Sequence, residues 1–153
     1  MSMLINVGSL CIDYVYTVPS LVRSGETLAS SRREVFPGGK GLNQSIAAAK
    51  AGCEVVHVGK VGPDGDDLVD YLREQGVNTE RITQTATPTG HAFIQVDHTG
   101  QNAIIIHGGS NRVLEPHQWN DCFSNAQPGD WLLLQHETNA VEQIIRDAKA
   151  RDI

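Results

Sequence analysis

The stretch Pro37-Gly38-Gly39-Lys40-Gly41 packs three glycines and a lysine together, immediately ahead of the alanine-rich Leu42 to Ala51 and Gly52. Alanine favours helix, and a glycine just past the run suits a left-handed stop, so the glycine cluster falls at a predicted helix start. Glycines there let the backbone approach a ligand closely, and the free N–H groups of a helix start bind oxygen atoms. A tight turn with positive φ angles needs the same residues, and the cluster alone does not separate the two readings. The loop is not a Walker A sequence, because Gly41 rather than Ser or Thr follows Lys40, and no G-x-G-x-x-G dinucleotide fingerprint opens the first helix.

Other residues of chemical interest are weaker. The six histidines, His57, His91, His98, His107, His117 and His136, show neither H-x-x-x-H nor H-E-x-x-H spacing, and no metal site is expected. His57, on a predicted buried strand, reads as a satisfied core residue. Cys11, Cys53 and Cys122 are odd in number and far apart, which argues against a disulfide framework or zinc knuckle. Cys53 and Cys122 read as packing residues. Asp64, Asp66 and Asp67 suit the positive end of a helix on a solvated face.

The elements that must position these residues alternate. Leu4 to Leu10 reads as a buried strand ending at Gly8-Ser9, Glu54 to Val61 as another, and Trp131 to Gln135 as a third. Asp64 to Gln75, stopped by Gly76, and Asn139 to Arg151 read as helices. This order is that of an α/β fold with a parallel sheet and right-handed crossovers. Four more polar segments, near 13–18, 27–36, 91–97 and 103–107, read as strands of a small separate sheet, the last two forming a hairpin across Thr99 to Asn102. The series is expected to continue past Ile153.

Composition limits the function classes. The 153 residues are 40% apolar and 20% charged, as in a globular domain. A net charge of −6 opposes non-specific nucleic-acid binding, so no nucleic-acid partner is expected. No apolar run approaches the roughly 18 residues of a membrane span, and no membrane partner is expected. The first residues lack the features of a signal peptide, which gives a cytoplasmic expectation.

The longer spacing is more specific than the loop. Gly38-Gly39-Lys40-Gly41-Leu42-Asn43-Gln44-Ser45, then Gly52 and Gly62, resembles the first signature of the ribokinase (PfkB) family of carbohydrate kinases. That pattern has a glycine pair, an Asn after the loop, a small residue two on, and both later glycines. The likeness extends to Gly8-Ser9 with Asp13, to Gly25-Glu26-Thr27 and to Gln135-His136-Glu137-Thr138, covering essentially the whole chain. It implies a ribokinase-like fold, a parallel Rossmann-like sheet flanked by helices with a small β-sheet lid. Residues 1–153 would be its amino-terminal half, without the carboxyl-terminal ATP-binding half.

The resemblance implies that Asp13, Gly38, Gly39, Lys40, Asn43 and Glu137 contact the hydroxyls of a sugar. The chemistry is apt: carboxylates accept from vicinal hydroxyls while amide and ammonium groups donate. Singly, Asp13 would read as a strand-end cap and Glu137 as a helix-terminal charge. His136, beside Glu137, is placed to face the same sugar. Ribokinases proper have Asn where this chain has Cys11, a weak donor and acceptor, which points away from ribose toward another sugar or a nucleoside.

The implied activity is ATP-dependent phosphorylation of a sugar hydroxymethyl group, with ATP and Mg²⁺ as cofactors of the intact architecture and neither expected to bind this half fully. The alternative is a non-catalytic sugar-binding or oligomerisation module. No catalytic residue is expected here, because the family's Asp base lies in a later Gly-Ala-Gly-Asp motif; Gly129-Asp130 precedes a strand and lacks the flanking residues. The lid strands imply a homodimer.

Overall fold

The computed structural model describes residues 2–153. Its central sheet contains β1 (Met3–Val7), β4 (Glu54–Val61), β5 (Asn78–Gln84) and β8 (Trp131–Leu134), in the order β5-β4-β1-β8 with every neighbouring pair parallel. Helices α1 (Lys40–Lys50) and α2 (Asp66–Glu74) cover one face, and α3 (Pro116–Phe123) and α4 (Val141–Lys149) the other. Period-two alternation explains the two layers. Ile5 and Val7 of β1 and Val56 and Val58 of β4 pack on Trp119, Phe123 and Ile144. Leu4 and Val55, on the opposite side, join Leu42, Leu68 and Leu72.

A second sheet stands apart, with β2 (Cys11–Thr17), β3 (Arg32–Gly38), β6 (Gly90–Val96) and β7 (Asn102–His107) in the order β3-β2-β6-β7. β2 pairs antiparallel with β3 and parallel with β6, and β6–β7 is the expected hairpin. The expectation of a parallel sheet with a small lid therefore holds.

Its boundaries need correction. The first strand stops at Val7, because Gly8 donates its N–H across to Val58 and the chain then turns toward the second sheet. Residues 27–31 are irregular, and the paired segment begins at Arg32. Two elements escaped the sequence patterns. β5 has a single apolar residue, Ile82, among polar ones such as Thr79 and Glu80. α3 is short, with polar Gln118 buried and bonded to Glu115, Gly59 and Thr83.

β8 forms an edge of the central sheet, and Trp131 at its start is 69% exposed. Among the described residues no helix is long and apolar enough to cross a membrane.

Candidate functional site

The carboxyl ends of β1 and β8, the start of α1 and the root of the second sheet meet at one place. Gly39 caps α1 with φ 100°, a backbone conformation that L side chains rarely adopt, and a Cβ on it would lie 2.7 Å from the Ser9 carbonyl. A Cβ on Gly41 would lie 2.6 Å from the Gly8 carbonyl carbon. The glycines thus let the helix start press against the Gly8-Ser9 turn.

That contact determines what the helix start binds. Gly41 donates its N–H to the Ser9 hydroxyl at 3.2 Å, and Leu42 donates to the Ser9 carbonyl at 3.0 Å. Lys40 donates its amide to Oε2 of Glu137 at 3.2 Å. The same Oε2 accepts the Ser9 hydroxyl at 2.7 Å, while Oε1 forms an ion pair with the Lys40 ammonium. The amides expected to be free for a ligand are therefore occupied by the protein, and Glu137 acts as the anion at the helix start. Burial raises the Glu137 carboxyl, but hydrogen bonds from Lys40 and Ser9 outweigh it and hold the group below its usual range.

Asp13 approaches from β2. A Cβ on Gly38 would collide with its carboxylate, so that glycine makes room for it. Burial, then the nearby charge of Glu137, raises the Asp13 carboxyl. Cys11 is 5% exposed, and its Sγ accepts a weak hydrogen bond from Asn111 Nδ2 at 3.6 Å. Burial and the charges of Glu137 and Asp13 push its thiol up to about 12, which rules out a thiolate nucleophile at neutral pH.

Lys40 and Glu137 line a cavity of about 580 Å³ with Cys11, Gln44, Asn111 and His136. Lys40, Glu137, Gly39, Gly38 and Asp13 are gathered at this junction. Asn43 is not joined to them by a side-chain bond; it is exposed on α1, and its backbone amide donates to Gly39. His136 lines the cavity. Asp130 lies at the other end of β8, where its carboxylate accepts the amides of Met3 and Gln127.

A buried polar chain underlies the site. Gln135 donates to Asn6 Oδ1 at 2.7 Å, and Asn6 Nδ2 donates to the Gly41 carbonyl and to Ser45 Oγ, both at 2.8 Å. Ser45 lies 2.8 Å from His57 Nδ1, and His57 Nε2 lies 3.2 Å from the Gly8 carbonyl. A carbonyl only accepts, so Nε2 carries the proton, Nδ1 accepts from Ser45, and every bond has a fixed direction. Burial lowers the His57 pKa to about 4, leaving the ring neutral. His57 is thus the satisfied core residue expected.

Sequence reasoning missed the roles of Asn6, Ser45 and Gln135. It also missed Asn111, which accepts the Leu10 amide at 2.9 Å and donates to the Leu10 carbonyl at 2.8 Å. No local pattern marks a residue whose partner lies 101 positions away. Asn6 did leave a signal, as a lone polar residue within a buried strand.

Among the described residues no group of three or more His, Cys, Asp or Glu side chains is placed to hold a metal ion. The cavity wall carries both hydrogen-bond acceptors, such as the Glu137 carboxylate, and donors, such as the Lys40 ammonium and the Asn111 amide.

Residues 1–148 match the family described as pfkB family carbohydrate kinase. A ribokinase of Haemophilus influenzae is 33% identical over 152 residues, covering 96% of this chain and 50% of that protein. A deoxyribokinase of Salmonella typhimurium is 31% identical over 134 residues, covering 86% of this chain and 44% of that protein. The structure of Arabidopsis thaliana ribokinase complexed with ribose and ATP superposes with a TM-score of 0.83 at 30% identity, covering all of this chain and 52% of the other. The chain spans about half the length of the curated relatives it matches.

Proposed function

Because this chain belongs to the pfkB family of carbohydrate kinases, we propose that it supplies the sugar-binding part of an enzyme phosphorylating a sugar-like hydroxymethyl group with ATP. The observation that carries this reading is the Glu137 carboxylate, fixed by Ser9 and Lys40 on the wall of a cavity beside Asp13. In this reading Asp13 and Glu137 accept from sugar hydroxyls, and Lys40 and Asn43 donate to them. Gly38 and Gly39 bring the backbone against the sugar.

Cys11 narrows the substrate. A buried thiol held by Asn111 offers a hydroxyl little, so the sugar carbon facing it is better left without one. A deoxysugar fits that wall, and one relative is named a deoxyribokinase. We therefore expect 2-deoxyribose to bind better than ribose, and Cys11→Asn to reverse the preference by about tenfold.

ATP enters through relatives whose structures are named as ADP or ATP complexes. The residues present do not by themselves fit Mg²⁺, since no carboxylate group converges to hold it. The proton acceptor for the hydroxymethyl group and the nucleotide site are assigned to sequence beyond these residues. What this half contributes is binding, orientation and shielding of the sugar.

The lid supports a pairing role too. Phe36, Ile104 and Ile106 are large and exposed on one face of it, and Val35 and Ile105 on the other, so a second copy covering the Ile104 face is the partner we infer. A cytoplasmic location accompanies the reading.

Amide NMR of the 153-residue chain titrated with sugars tests the assignment. Saturable shifts at Ser9, Lys40 and Gly41 are expected; shifts confined to other surfaces would refute it.

A further inference from the structure

The polar chain beneath the site does not end at the Gly8 carbonyl. Ser9 donates its N–H to Gln135 Oε1 at 3.3 Å, and that N–H belongs to the same peptide unit as the Gly8 carbonyl. The bonds therefore close a cycle of five members: the Gly8–Ser9 peptide, Gln135, Asn6, Ser45 and His57. Each member donates once and accepts once around it. Asn6, Ser9, Ser45 and His57 are fully buried, and Gln135 nearly so.

The backbone sets the sense of the cycle, because a peptide N–H only donates and a carbonyl only accepts. A proton moved to His57 Nδ1 would leave the Gly8 carbonyl without its donor in the cycle and the Ser45 hydroxyl hydrogen without its acceptor. Bonds aligned in one sense polarise and reinforce one another. Gly8 leaves the space for them, since a Cβ on it would lie 2.6 Å from Gln135 Oε1 and 3.0 Å from Asn6 Oδ1.

The cycle also touches every piece of the candidate site. Gln135 lies two residues before Glu137. Ser9 donates its hydroxyl to Glu137 and accepts the Gly41 amide on the same oxygen. The second Asn6 N–H goes to the Gly41 carbonyl, in the first turn of α1. Asn6, Ser45 and His57 do not line the cavity, so they reach a ligand only through these contacts. Packing alone does not call for them, because apolar side chains of similar volume would avoid desolvating the polar groups.

We infer that Asn6, Ser45 and His57 are positioning residues, whose cycle holds the Gly8-Ser9 turn, the start of α1 and the exit of β8 in the arrangement that lets Ser9 and Lys40 grip Glu137. That Glu137 then accepts from sugar hydroxyls rests on the sugar reading; the positioning of its carboxylate does not.

Two substitutions at one position test this. His57→Gln keeps an acceptor for Ser45 and a donor for Gly8, whereas His57→Leu keeps neither. The first readout needs no sugar: a carbon-13 NMR titration of the Glu137 carboxyl, which the Lys40 and Ser9 bonds hold below its usual range. It should stay low in His57→Gln and move up toward that range in His57→Leu. By calorimetry, 2-deoxyribose should bind His57→Leu about tenfold more weakly and His57→Gln within about threefold of the parent. Nitrogen-15 spectra of the parent decide the matter if a variant does not fold, with a proton expected on His57 Nε2 and none on Nδ1. A proton on Nδ1, or the same Glu137 titration in all three folded proteins, overturns the inference. So does unchanged affinity in His57→Leu when the parent binds the sugar. A parent that binds no sugar while the Glu137 titrations differ would remove the sugar reading and leave the positioning in place.

Discussion

Glu137 satisfies three donors from two residues, and Asp13 lies close enough for its carboxyl to be raised by that charge. Hydrogen bonds hold Glu137 low, whereas burial and that neighbouring charge raise Asp13, so the two carboxyls are pushed apart in pKa. Under the sugar reading Asp13→Ala deletes a charged acceptor, and calorimetry should show sugar affinity lower by about 2 kcal/mol. His57 makes a separate prediction about stability. Its folded pKa of about 4 lies below the ordinary 6.5, so between those values the unfolded chain binds more protons. The contribution of the neutral ring is complete above pH 6.5 and is lost as pH falls through 4, about 3 kcal/mol in all. Urea unfolding from pH 7 to pH 4 should show this slope on top of that from carboxylates, and His57→Asn should remove the His57 part. Equal slopes in parent and variant would mean that the imidazole is not buried neutral.

At the scale of elements, what could be read from sequence followed the strength of the periodic signal. Glu54 to Val61 was legible to the residue, because seven of its eight positions are buried and the run is continuously apolar around His57 and Lys60. The helix α3 was not, because it buries Gln118 and takes its apolar anchor from Trp119, which bonds Asp147 of α4 at 2.8 Å. The glycine loop was legible as a helix start, whereas its filling by Glu137 depends on a contact across 97 positions. The lid was legible in outline from alternation. Its strand β7 is exposed along its whole length, and Ile104 shares a face with Val15 and Ile94 through the pairings with β6 and β2. Such a strand favours association. Ile104→Lys should therefore convert a dimer to a monomer by light scattering without loss of Tm; a parent already monomeric at high concentration would contradict the lid interface.

For the whole molecule, two sheets meet at one junction, and the proposed sugar site lies there. The central sheet contributes Glu137 after β8 and, after β1, the turn whose Ser9 bonds it, while the lid contributes Cys11 on the cavity wall and Asp13 beside Gly38. The polar chain from Gln135 to His57 fixes the central-sheet side, and Asn111 fixes the start of the lid. Sugar affinity should therefore depend on residues from both sheets. The most direct measurement is calorimetric titration of the 153-residue chain with 2-deoxyribose, in parent and Glu137→Gln forms of matched Tm. The account requires one saturable site in the parent and a loss of at least about tenfold in the variant. A folded parent that binds no sugar, or a variant that binds it equally well, would contradict it.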